Sequence, residues 1–173
     1  MRRLMLLRHA KAVPQGALAD ENRPLTERGR SDTAKIAEFA ASRELVPGLA
    51  LVSSAIRTRE TWDLFAPHLP AQPALRIEPR LYAAAAERIL SLVRETPSDV
   101  ATLLLVGHNP GLEDLARTLT GSGDTDALIR FGGTMPTASL AVIDLGDGWT
   151  NLQPRTSRLE FFVTPKSLGA NDG

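Results

Sequence analysis

Three short apolar runs set the frame of this chain, and each stops at residues suited to chemistry. Leu4 to Leu7 ends at Arg8-His9, Leu49 to Val52 runs into Ser53-Ser54, and Thr102 to Val106 ends at Gly107-His108-Asn109. Unbroken apolar runs of this length fit strands buried on both faces, as in a parallel sheet covered by helices. They fall well short of the roughly 18 apolar residues that mark a membrane-spanning helix. The Arg2-Arg3 pair before the first run resembles the start of a secretory leader, but a leader needs an apolar stretch of about 7–15 residues and Arg8 ends this one early. A cytosolic protein is expected.

Helical patterns lie between the runs. Thr26 is placed to cap a helix reaching about Arg43, with Ile36, Ala37, Ala40 and Ala41 on its inner face. Ser54 is placed to cap a helix through Phe65. Pro67, Pro70 and Pro73 mark a loop, and Leu75 to Glu78 reads as a short edge strand. Ala84 to Glu95 carries helical spacing through Ile89, Leu92 and Val93 until Thr96-Pro97 stops it. Asn109 reads as the cap and Pro110 as the first residue of a helix ending near Gly121. Ser139 to Leu145 and Leu159 to Val163 read as late strands. Strands alternating with helices predict an α/β fold, a three-layer α/β/α sandwich around a mostly parallel central sheet. A single domain is expected over 1–163, with 164–173 as a frayed tail.

The 20 basic and 20 acidic side chains cancel. That balance argues against bulk electrostatic capture of nucleic acid or an anionic membrane. The chain has no cysteine, which excludes disulfides, thiolate catalysis and cysteine metal sites.

Ligands of open α/β sheets bind beyond the carboxyl ends of the strands. Arg8, His9, Arg57 and His108 would therefore meet at one pocket. Arg57 falls in the first turn of its helix, where the macrodipole disfavours a cation but free N–H groups favour an anion. A guanidinium there makes sense if a phosphate completes the site, because arginine grips phosphate through a two-pronged fork. A neutral histidine can attack phosphorus and split one hard step into two. Arg8, Arg57 and His108 can neutralise the charge on the transferring group.

Each residue alone has a plainer reading. His9 can be a hydrogen-bonded structural histidine, and Arg8 a solvated charge. His108-Asn109-Pro110 can be only a helix entry, and Arg57 with Arg59 a wet helix face. His68 sits in the proline-rich loop and reads as structural. Zinc held by His9 and His108 lacks a spacing such as H-E-x-x-H.

The combination is more specific. Leu6-Leu7-Arg8-His9-Ala10-Lys11-Ala12 resembles the opening of the histidine phosphatase superfamily, whose fold is phosphoglycerate mutase-like. Most members continue Arg-His-Gly, whereas Arg-His-Ala-Lys-Ala is similar to the SixA-type phosphohistidine phosphatases. Asp20 with Arg23-Pro24-Leu25-Thr26-Glu27-Arg28-Gly29 resembles that branch's next block. Ser53-Ser54-Ala55-Ile56-Arg57-Thr58-Arg59-Glu60-Thr61 is similar to its second arginine motif, and Val106-Gly107-His108-Asn109-Pro110-Gly111-Leu112 to its second histidine motif. Met135 to Ala141 resembles its late strand entry. The likeness spans about residues 4–145 in the expected order, and nothing after Asp147 extends it.

By position, the resemblance implies His9 as nucleophile and Arg8, Arg57 and His108 as the phosphate pocket, with Asn109 beside them as a substrate contact. It implies a metal-independent phosphatase without cofactor, working through a phosphohistidine intermediate on phosphohistidine carried by a protein. A histidine-containing phosphotransfer protein is the expected kind of partner, and a monomer the expected form. The rivals are a phosphatase for a small phosphomonoester and a non-catalytic phosphate-binding module. Many superfamily members carry a glutamate general acid after the third strand. Leu81-Tyr82-Ala83 stands there in this chain, leaving Asp20 and Glu78 as candidate acids.

Overall fold

The computed structural model describes residues 1–169. Its sheet has seven strands: β1 (Arg2–Arg8), β2 (Leu49–Val52), β3 (Ala74–Ile77), β4 (Thr102–Gly107), β5 (Thr120–Gly123), β6 (Leu140–Gly146) and β7 (Ser157–Val163). Their order across the sheet is β3-β2-β4-β1-β6-β7-β5. β3, β2, β4 and β1 run parallel, β6 is antiparallel to both β1 and β7, and β5 is parallel to β7. The helices are α1 (Glu27–Ser42), α2 (Ile56–Phe65), α3 (Ala86–Arg94), α4 (Gly111–Leu119), α5 (Thr125–Phe131) and α6 (Pro165–Gly169).

Alternation along the central strands explains the three layers. Leu4, Leu6, Leu103 and Leu105 pack with Ile89, Leu92 and Val93 of α3 and Leu112, Leu115 and Leu119 of α4. Their neighbours Met5, Leu7, Leu104 and Val106 face the other way, onto Ile36, Ala37 and Ala40 of α1 and Trp62 and Phe65 of α2. A strand that feeds two cores needs an apolar residue at every position, which is why these runs are unbroken. Each such leucine removed from water contributes about 1.5–3 kcal/mol.

The ends of the elements differ from expectation in instructive ways. Thr26 caps α1 as predicted, its side-chain oxygen accepting from Gly29 N. Ala55, not Ser54, occupies the N-cap of α2, and no side chain caps it. Pro110, not Asn109, precedes α4, and the Asn109–Pro110 peptide is cis. α4 stops at Leu119, and β5 follows with the sequence Thr-Gly-Ser-Gly, which has no apolar alternation to announce a strand. The segment 164–173 is not a frayed tail over its first residues. Thr164 and Ser167 exchange hydrogen bonds across the first turn of α6, and Leu168 packs against the core on the α1 side. Residues 170–173 of that segment lie outside the described residues.

Candidate active site

Strand register assembles the site. β1 and β4 pair so that Arg8 lies opposite Gly107, and the next residues, His9 and His108, leave the sheet side by side. His9 N donates to Gly107 O at 3.1 Å, and Ser53 N, just beyond β2, donates to Val106 O at 3.0 Å. The two imidazole rings end 5.4 Å apart between centroids. Arg57, in the first turn of α2, completes the group. His9, His108 and Arg57 are all buried.

Hydrogen bonding defines the protonation of His9. Its Nδ1 lies 2.8 Å from Ala10 O, an atom that can only accept, so Nδ1 carries the proton and Nε2 carries the lone pair. Burial foremost, then the charges of His108, Arg8 and Arg57, push the imidazole down to about 3 against the opposing Ala10 bond. A neutral ring with a free Nε2 is the form that can attack phosphorus. The Ala10 peptide is itself anchored: its N–H donates to Thr61 Oγ1 at 3.0 Å, and that hydroxyl donates to Arg57 O at 2.7 Å.

His108 is held at its other nitrogen. Nε2 lies 2.7 Å from Ser53 Oγ, while Nδ1 is buried without a partner among the described residues. Burial, followed by the charge of Arg57, lowers this ring to about 4. Two buried donors likewise have no partner among the described residues, Nε of Arg8 and Nε of Arg57. Buried polar atoms are rarely left unpaired without a reason. The two guanidinium N–H groups, joined by Nδ1 of His108 when its Nε2 accepts from Ser53, are what a phosphoryl group would satisfy beside the His9 lone pair.

The outer edges of the arginines are fixed. Arg8 donates through one terminal nitrogen to Met135 O at 3.0 Å, and burial lowers its pKa despite Glu113 nearby. Arg57 donates to Asp20 O at 2.8 Å and to Asp20 Oδ2 at 3.1 Å. Asp20 also accepts from Arg23 and from the hydroxyl of Tyr82, whose ring stands edge-on to His108 with centroids 5.6 Å apart.

The structure thus brings Arg8, His9, Arg57, His108 and Asp20 together. Asn109, expected as a substrate contact, is held through its amide nitrogen. Its amide N–H groups go to Glu113 Oε2 and Met135 O, and its Oδ1, an acceptor, is buried without a partner among the described residues. Glu78 is likewise set apart. Both its oxygens are bound by Arg80, an ion pair that holds its carboxyl below the ordinary range despite burial. Sequence reasoning gave no role to Ser53, Thr61, Tyr82 or Glu113. Ser53 and Thr61 lie within the second arginine motif, and Tyr82 stands where the acid was missing. Glu113, which supports Asn109 and Met135 N, carried no signal. Among the described residues no group of three or more His, Asp or Glu side chains is arranged to hold a metal ion.

Comparison with known proteins agrees with this geometry. No protein-family model matches the chain. An uncharacterised protein of Mycobacterium tuberculosis is 30% identical over 162 residues, covering 92% of this chain and all of that one. The Agrobacterium tumefaciens structure assigned as the phosphohistidine phosphatase SixA is 30% identical, with a TM-score of 0.78 over 95% of this chain and 99% of that one. A protein histidine phosphatase SixA complexed with tungstate shares the fold at 21% identity, TM-score 0.77, over 96% of this chain and 99% of that one. With its paired histidines and arginines on that fold, the chain belongs to the histidine phosphatase superfamily and to its SixA-like branch.

Proposed function

We propose that this phosphatase removes phosphoryl groups from phosphohistidine on a protein. The observation that carries the reading is the state of Asp20, the carboxylate at the pocket. The bond from Tyr82 foremost, then those from Arg23 and Arg57, hold its carboxyl down to about 2. It has no proton to give near neutrality. His108, lowered to about 4, has none to spare either. An alkyl phosphate expels an alkoxide and needs that proton. Phosphohistidine can take that proton before it binds, because an imidazole ring titrates at about 6.5, and the protonated ring leaves as neutral imidazole with no acid needed from the site.

In the first step His9 Nε2 forms a bond to phosphorus, the substrate's P–N bond breaks, and its electron pair returns to the departing ring. Nε of Arg8, Nε of Arg57 and Nδ1 of His108 take the charge of the phosphoryl oxygens. For Nδ1 to donate, the neutral ring must carry its proton there, with Nε2 accepting a hydrogen bond from the Ser53 hydroxyl. In the second step water attacks phosphohistidine 9, the new P–O bond releases His9, and the water's proton leaves with phosphate and solvent. The expected partner is a histidine-containing phosphotransfer protein, met by a monomeric enzyme in the cytosol without metal, nucleic acid or membrane.

The test is a rate series at fixed pH. A histidine-phosphorylated phosphotransfer domain should turn over fastest, p-nitrophenyl phosphate more slowly and an alkyl phosphate slowest. Alkyl esters hydrolysed as fast as phosphohistidine would overturn the substrate reading.

A further inference from the structure

Asp20 poses a problem that the phosphate pocket does not solve. A carboxylate beside a phosphate site repels its ligand, yet this one is fixed by Arg57, Arg23 and Tyr82. Its place suggests a different target. His9, Arg57 and His108 are 6–8% exposed and form the floor, while the Asp20 side chain, ion-paired with Arg57 and bonded to the Tyr82 that stands against His108, is 36% exposed and so nearer solvent. In-line displacement puts the leaving group opposite the nucleophile. With the nucleophile on the floor, the leaving group points outward, toward Asp20 and the Tyr82 ring.

We infer that Asp20 is a specificity-determining residue that accepts the ring N–H of the departing imidazole, with Tyr82 and Arg57 holding the carboxylate in place for it. The inference rests on the phosphohistidine reading and names the part of the site that reads the leaving group. A phosphorylated imidazole carries phosphorus on one nitrogen and, when protonated, hydrogen on the other. A carboxylate facing that second nitrogen favours the protonated ring. As His9 Nε2 bonds to phosphorus and the P–N bond breaks, the electron pair neutralises the ring, which leaves as imidazole with its N–H still on Asp20. No proton transfer is needed, so an ionised carboxylate suffices where an ester would need an acid. An aryl phosphate offers no such N–H and gains from Asp20 only the fixing of Arg57.

The experiment compares phosphoimidazole with p-nitrophenyl phosphate in the intact chain and in Asp20→Asn. The ratio of their kcat/KM values should fall about tenfold in the variant, the size of one lost charge-assisted hydrogen bond. Turnover of p-nitrophenyl phosphate reports folding and the positioning of Arg57. The pH profile of kcat gives a second readout, because it reports groups in the bound complex. Its alkaline limb on phosphoimidazole should move to lower pH in Asp20→Asn. The charged and titratable groups around Asp20 are Arg57, Arg23, Glu21, Tyr82 and His108. Tyr82→Phe, which leaves the carboxylate in place, should lower the ratio less. Equal losses on both substrates, with an unmoved limb, would make Asp20 only a support for Arg57 and overturn the inference. If the unmodified chain hydrolyses p-nitrophenyl phosphate but not phosphoimidazole, the substrate reading fails and this inference with it.

Discussion

The Nδ1–H of His9 is committed to the carbonyl oxygen of Ala10, 2.8 Å away, and that bond decides which ring nitrogen can attack. His9→Ala should therefore abolish turnover by several orders of magnitude, as loss of a nucleophile does. Rapid-quench labelling should trap phosphate on the unmodified chain and none on the variant. Near-normal activity in His9→Ala would refute the covalent route.

The Nε atoms of Arg8 and Arg57, unpartnered among the described residues, predict inhibition by phosphate-sized oxyanions. Vanadate and phosphate should compete with substrate. Arg57→Lys should weaken vanadate by about 10–100-fold, because an ammonium cannot offer a planar fork. The variant's inhibition constant checks this, and an unchanged value would remove Arg57 from the phosphate site. EDTA should leave activity intact.

The low pKa values of His9 and His108, about 3 and about 4, make stability depend on pH. Both rings titrate near ~6.5 in the unfolded chain. Below that pH the unfolded state binds protons that the native rings refuse, so stability is full above about 6.5 and falls as pH drops toward the native values. Asp20, lowered to about 2, acts later, losing its contribution only below the usual carboxylate range. Denaturant midpoints measured from pH 7 to pH 4 should decline, and His9→Gln should flatten the decline. A slope identical in both proteins would place no buried neutral imidazole at position 9.

Ser53 should matter for the same ring logic. Without its hydroxyl, Nε2 of His108 has no donor to fix the tautomer that presents Nδ1–H. Ser53→Ala should raise KM and the vanadate inhibition constant several-fold, about 1 kcal/mol for one neutral hydrogen bond. Unchanged constants would show that His108 keeps its tautomer without Ser53.

How far the sequence carried depended on which physical signal each residue leaves. Leu4 to Leu7 and Thr102 to Val106 feed two cores, and that demand is visible as an apolar run. His9 and His108 were legible because they follow those runs, and strand register then made them neighbours. β5 was not legible, since Thr120 to Gly123 pairs with β7 but offers no apolar side chain to mark it as a strand. The hydrogen bonds of Asn109 and Glu78 were not legible, because a motif shows that a residue is near a site, not where its protons point. Glu113 and Met135 meet Asn109 only through folding, 4 and 26 residues away.

Gly29 gives the last prediction, because two opposing effects meet there with known sizes. It lies in the first turn of α1, where alanine would gain up to about 1 kcal/mol of helix propensity. A Cβ at this position would sit 2.2 Å from Lys11 O and 3.0 Å from Lys11 N, both backbone atoms that cannot rotate away. Lys11 O also receives Thr26 N at 2.9 Å, which ties the start of α1 to the strand exit. Overpacking of this kind costs about 1–3 kcal/mol, so the clash outweighs the propensity. The displaced residue adjoins Ala10, whose carbonyl orients His9. Gly29→Ala should therefore lower Tm by several degrees and lower kcat as well, with the two measured on the same preparation. A raised Tm with unchanged kcat would mean that α1 can move off the strand exit without disturbing the nucleophile.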